Sequence, residues 1–190
     1  FVLFTGSKNS FPNNVILSLK SSKDGGLWVG CYRGGLNFKE KNATNFSSKI
    51  PEVSFGSIVE GVDNIIWAGS WGQGLFRYNT KTNEYRKYNI DEDDNTTISD
   101  GFVYYTYKDK SNKIWICTSL GLNSLENEET GKFRRFLNDK GNPKSIGGNT
   151  VYHCYEDSKN RFWVGTDAGL SLLNRDSLKF VTYNVADGLE

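Results

Sequence analysis

The residue types able to do chemistry are few and scattered. The chain holds one histidine, His153, and three cysteines, Cys31, Cys117 and Cys154. A histidine acts as a general base, and histidine or cysteine as a metal ligand, only beside convergent partners. The sequence supplies no such set. His153 sits next to Tyr152 in an alternating, strand-like stretch and reads as a packed or partly solvated residue. The cysteines are odd in number, widely spaced and without CxxC spacing, so they read neither as a disulfide framework nor as a zinc site. Asp91-Glu92-Asp93-Asp94 is acidic but lacks the ligand periodicity and glycine of a calcium loop, and reads as a solvated loop. No catalytic residue, metal or cofactor is expected.

What remains is recognition chemistry. Tyr32-Arg33-Gly34 and Trp71-Gly72-Gln73 each place an aromatic ring beside a polar side chain, and Asp167 stands at the matching place further on. An apolar ring face plus oriented hydrogen-bonding groups suits a sugar. The candidate ligand-binding residues are therefore Trp71, Arg33, Gln73, Tyr32 and Asp167. The bland alternative is that Trp71 packs on a neighbouring loop and Arg33 is a solvated charge.

The elements that carry these residues come from an internal repeat. Trp28, Trp67, Trp115 and Trp163 head four related segments, LWVGCYRGGL, IWAGSWGQGL, IWICTSLGL and FWVGTDAGL, spaced by 39, 48 and 48 residues. Each closes on a Gly-Leu pair, at Gly35, Gly74, Gly121 and Gly169. Three residues before each Trp stands Gly25, Asn64, Asn112 or Asn160, types that tolerate the positive φ of a tight hairpin. An alternating strand precedes that turn, at 15–20, 55–60, 102–108 and 151–156. A third short strand follows Gly-Leu, and an aromatic fourth follows at 85–88, 133–136 and 180–183. The first unit has only Phe46 as a core candidate in its fourth strand.

Four short antiparallel strands in a repeat of this length make a β-propeller blade. The fold class is all-β, with four tandem four-stranded blades at 13–48, 54–90, 101–138 and 149–185, forming a partial propeller. A blade has two apolar faces and buries them only against neighbours, so each repeat Trp is expected between adjacent blades. The loops holding Tyr32-Arg33 and Trp71-Gln73 join second to third strands, at one mouth of the central channel.

Composition agrees. Aromatic residues make up 14% of the 190, with 20 Gly against only 3 Pro, which favours strands and tight turns. The net charge of +1 and the absence of a basic stripe exclude a nucleic-acid footprint. No apolar run is long enough to span a membrane.

The four units resemble the two-component regulator propeller repeat: a first strand ending in an acidic residue, a turn, an apolar-Trp-Val/Ile-Gly-Thr strand, then Gly-Leu. The best copy is VYHCYEDSKNRFWVGTDAGLSLLNRD (151–176), followed by VYYTYKDKSNKIWICTSLGLNSLE (103–126). Asp109 and Asp157 keep the acidic residue, whereas Ser22 and Gly61 lack it, and Cys117 takes the usual Gly place. The resemblance implies the periplasmic sensor region of a hybrid two-component histidine kinase, one that detects glycan breakdown products. It implies no catalysis by this piece itself. Competing readings are a propeller enzyme resembling streptogramin lyase and a protein-interaction scaffold.

The phase of the repeat makes 1–4 the last strand of a preceding blade and 186–190 a loop leading into another. The chain has no Met and starts at Phe1, as an excised piece would. Its terminal blade faces are then apolar and open, and association of copies through them is expected.

Overall fold

The structure is a computed structural model, which describes residues 11–189; the expected strand at 1–4 and the last residue, Glu190, lie outside the described residues. Four four-stranded antiparallel sheets follow one another along the chain, each with its strands in sequence order. Blade 1 holds β1 (Ile16–Ser21), β2 (Leu27–Cys31), β3 (Gly35–Lys39) and β4 (Ser47–Ile50). Blade 2 holds β5 (Phe55–Glu60), β6 (Ile65–Ser70), β7 (Leu75–Asn79) and β8 (Tyr85–Tyr88). Blade 3 holds β9 (Val103–Lys108), β10 (Ile114–Thr118), β11 (Gly121–Asn127) and β12 (Lys132–Phe136). Blade 4 holds β13 (Val151–Glu156), β14 (Phe162–Thr166), β15 (Gly169–Asn174) and β16 (Lys179–Tyr183). The first strands of successive blades pack side by side, so β1, β5, β9 and β13 lie innermost.

The hairpins follow from residue type. Gly25, Asn64, Asn112 and Asn160 take φ of 82°, 66°, 67° and 61°, in the left-handed region that glycine and asparagine enter most readily. The glycine of each Gly-Leu pair also has positive φ, and a Cβ on Gly35 would overlap the Ile50 carbonyl oxygen of the adjacent strand.

Each blade presents a trailing face to the blade after it. That face carries an apolar trio in matching register: Trp28, Leu36 and Ile50 in blade 1; Trp67, Leu75 and Tyr88 in blade 2; Trp115, Leu122 and Phe136 in blade 3. The next blade answers with its second and third strands. Trp28 meets Tyr78 edge-on at 5.7 Å, and Trp115 packs on Phe162 at 4.4 Å. Burial of each of these indoles is worth about 4–6 kcal/mol gross by area. Ile98 and Ile146, fully buried, pin the connecting loops into the same clusters.

Two expectations need correction. Trp163 was expected to be sandwiched like the others, yet it is half-buried, because no blade among the described residues covers the trailing face of blade 4. Its matching trio, Trp163, Leu170 and Tyr183, is partly open, and Val181 beside it is 56% exposed. In blade 1 the buried residue of the fourth strand is Ile50, not Phe46; Phe46 lies on the leading face and stacks on Phe11 at 4.4 Å.

The acidic residue ending the first strand also has a physical role. Asp109 Oδ2 accepts the Trp115 indole N–H at 2.8 Å, and Asp157 Oδ2 accepts that of Trp163 at 3.1 Å. Each carboxylate thereby joins the first strand to the tryptophan of its neighbour while closing the turn through backbone N–H groups.

Candidate aromatic recognition site

The innermost strands share an irregularity at the same place. Register slips by one residue in each, leaving Leu17, Gly56, Tyr104 and Tyr152 without a partner on the second strand. Such a bulge re-aims the extra side chain away from the regular pleat. In blades 3 and 4 the re-aimed residue is a tyrosine. In blade 2 it is Gly56, and the indole of Trp71 fills the space a side chain there would need.

Trp71 is held by its backbone. Its N–H donates to the Ser54 carbonyl at 2.9 Å, and the residue forms a bridge pair with Phe102 at the start of blade 3. The two rings stack at 5.6 Å and 17°. From Phe102 the contact passes to Tyr104 at 4.9 Å, and from Tyr104 to Tyr152 at 5.3 Å. A continuous row of four rings therefore runs across blades 2, 3 and 4. Its ends are the open ones: Trp71 is 40% exposed and Tyr152 51%. Asp100 fixes the middle, its Oδ1 accepting the Phe102 N–H and the Ser119 hydroxyl, both at 2.6 Å.

The residues expected from sequence fall in three places. Trp71 belongs to the row. Tyr32 and Arg33 form their own pair, the guanidinium 5.2 Å from the Tyr32 ring centre, with the Arg33 N–H on the Ser54 hydroxyl. Gln73 turns outward: its side-chain oxygen accepts from Lys87 Nζ at 3.4 Å, on the outermost strand β8. Asp167 is exposed and accepts the Thr150 N–H at 3.3 Å, steadying the loop before β13. Sequence reading missed Phe102, Tyr104 and Tyr152. The signal that marks the tyrosines is their position as second residue of a first strand, where the bulge recurs.

His153 lies exposed beside the row, its ring stacked on Tyr105 at 3.8 Å. Desolvation lowers its pKa from the ordinary imidazole value. The acidic run at 91–94 sits in the loop between blades 2 and 3. There Arg135 gathers the Asp91, Asp94, Thr97 and Ile98 carbonyls. Among the described residues no group of three or more His, Cys, Asp or Glu stands together to hold a metal ion. The site thus offers ring faces and peripheral hydrogen-bonding groups.

The family model described as "Two component regulator propeller" matches residues 10–33 and 145–168. The chain carries two-component regulator propeller repeats. The matched stretches are the first hairpins of blades 1 and 4, β1–β2 and β13–β14, and each includes the bulge. Departures occur in matched and unmatched copies alike: Ser22 in blade 1 and Gly61 in blade 2 replace the acidic residue, and Cys117 in blade 3 replaces glycine.

Other proteins share the repeats or their fold. Histidine kinase P4 of Formosa agariphila is 32% identical over 132 residues, which is 64% of this chain and 10% of that protein. Two structures of the extracellular domain of BT4673 from B. thetaiotaomicron superpose with a TM-score of 0.74, at 25% and 23% identity. One describes it as a putative one component system and the other as a putative hybrid two component system. They cover 89% and 95% of this chain and 22% and 23% of theirs. Virginiamycin B lyase from Staphylococcus aureus, at 14% identity and a TM-score of 0.67, covers 91% of this chain and 57% of its own, and shares the fold alone. The chain spans about a tenth of the curated relative it matches.

Proposed function

We propose that this chain is part of the extracytoplasmic ligand-sensing propeller of a hybrid two-component sensor, and that its aromatic row receives a glycan breakdown product. The observation that carries the reading is the unbroken contact from Trp71 through Phe102 and Tyr104 to Tyr152. A pyranose has an apolar C–H face that packs on a ring and hydroxyls that need oriented partners. The row presents four rings in succession, and Asp167 and Arg33 stand on neighbouring loops of the same kind. The near-zero net charge suits a neutral ligand. The extracytoplasmic setting is supported by the likeness to the BT4673 extracellular domain, and the signalling role by that to Histidine kinase P4.

The test is calorimetry against a panel of neutral oligosaccharides, followed by Trp71→Ala and Tyr152→Ala on the best binder. Each substitution is expected to weaken binding roughly tenfold or more, equivalent to about 1.4 kcal/mol. Affinity unchanged in both variants would remove the row as the binding surface.

A further inference from the structure

Cys117 on β10 and Cys154 on β13 lie in the buried cluster between blades 3 and 4. The position of Cys117, paired with the Leu of the Gly-Leu unit, is glycine in the other blades: Gly30 with Leu36, Gly69 with Leu75 and Gly165 with Leu170. In blades 1 and 2 glycine is there because the next blade's first strand comes close. A Cβ on Gly30 would overlap the Phe55 carbonyl oxygen, and one on Gly69 would lie 2.5 Å from Val103 Cγ1 and 3.2 Å from Thr106 Cγ2. Thr106 on β9 pairs with Ile116 as Cys154 on β13 pairs with Val164, so Cys154 takes the same place one blade later. The two cysteines therefore face one another across the gap where blades 1 and 2 leave room only for hydrogen. They share one buried cluster, 0% and 1% exposed, and the Cys117 thiol is among the groups that raise the Cys154 pKa. Cys31 belongs to a different cluster, where Asn37 Nδ2 lies 3.6 Å from its sulfur.

We propose that Cys117 and Cys154 are a disulfide-forming pair that joins blade 3 to blade 4 under oxidising conditions. The co-reactant is a small disulfide such as oxidised glutathione. One cysteine thiolate attacks it, forming a mixed disulfide and releasing one glutathione thiol. The second cysteine thiolate then attacks the protein-bound sulfur, closing the Cys117–Cys154 bond and releasing the other. The two protein thiols lose two electrons and two protons, and the oxidant's S–S bond becomes two thiols. Burial raises the Cys154 thiol well above its ordinary pKa, which keeps it protonated in the packed state. The exchange therefore takes place while blade 4 is undocked, during folding.

The chain is refolded in oxidised glutathione, denatured under acid, alkylated with a maleimide and weighed intact. The reduced chain accepts three adducts, one per cysteine. The oxidised chain is expected to accept one, on Cys31, with a peptide map showing Cys117 linked to Cys154. Cys31→Ser is expected to leave no alkylatable thiol. Cys117→Ser and Cys154→Ser are each expected to leave two, and the second variant serves if the first fails to refold. Three adducts on the refolded oxidised chain, or a link involving Cys31, would overturn the pairing.

Discussion

Trp71 lies in the space that Gly56 leaves empty, so a one-carbon side chain on β5 and the present position of the indole exclude each other. Gly56→Ala forces the ring to swing away from Phe102. Because Trp71 is already 40% exposed, the ring can leave without opening the core. The expected outcome is a protein whose melting temperature changes little, with a larger acrylamide-quenchable fraction of its tryptophan fluorescence and weaker ligand binding. Unaltered quenching would show that the backbone at Gly56 yields instead of the indole.

The four repeat tryptophans divide by their neighbours. Trp115 is 3% exposed and touches Phe136 and Phe162, so Trp115→Ala is expected to cost about 3–5 kcal/mol. Trp163 occupies the same register position, but among the described residues its ring and hydrogen-bond partners, Tyr183, Arg161 and Asp157, belong to its own blade. Trp163→Ala is expected to cost about half as much or less, since an exposed face has no cavity to leave. Urea denaturation of both variants reads the difference. Equal losses would mean that something covers blade 4.

The tryptophans and turn residues were legible in the sequence because their requirements are local. A hairpin needs φ > 0 at one residue, and Gly25, Asn64, Asn112 and Asn160 announce it. The aromatic row was mostly hidden. Strict alternation along 102–108 assumes an even pleat, and the bulge at Tyr104 breaks that assumption. The row also draws on three blades, so no window of sequence contains it. Trp71 stood out because it is the one tryptophan outside the repeat column. Gln73 was misleading: Trp71, two residues earlier, lies against Phe102 and Gly56, while the Gln73 amide reaches Lys87 on the outer strand. Arg175 gave no signal, because Asp109 lies a blade away and Glu156 lies two strands across its own sheet.

Arg175 bridges two buried carboxylates between blades 3 and 4, at 3.5 Å from Asp109 and 3.2 Å from Glu156, with its guanidinium over Phe162. Burial pushes the Asp109 carboxyl up, but hydrogen bonds from Ser111, Trp115 and Lys113, with the Arg175 charge, outweigh it and leave it below 3.8. A depressed folded value means that its stabilisation is complete above the unfolded value and is lost as pH falls through the folded one. Arg175→Ala leaves both carboxylates buried without a cation, at a cost of about 3 kcal/mol near neutral pH. Without the cation the folded Asp109 pKa rises, so acidification relieves the variant, while the parent loses the Asp109 contribution only as pH falls below 3.8. Urea midpoints of the two proteins are expected to converge as pH is lowered from about 7 to about 4. A constant gap would assign the loss to packing on Phe162.

The two ends of the stack differ in a way that sets how isolated chains associate. The leading face of blade 1 is closed by its own residues: Val29 and Cys31 are buried beneath Phe11, with Phe46 packed alongside. Among the described residues the trailing face of blade 4 has no such cover, and Tyr183 and Val181 on it are 36% and 56% exposed. Head-to-tail addition would have to displace Phe11, whereas two trailing faces can meet directly. An isologous contact of that kind closes on itself, so growth stops at two copies. Light scattering of the isolated chain is expected to give a dimer at high concentration and no larger species. Val181→Lys places a charge in the middle of the contact and is expected to return the monomer without loss of thermal stability. A series of higher oligomers would point to displacement of Phe11, and a monomer at every concentration would show that the trailing face does not bind its own copy.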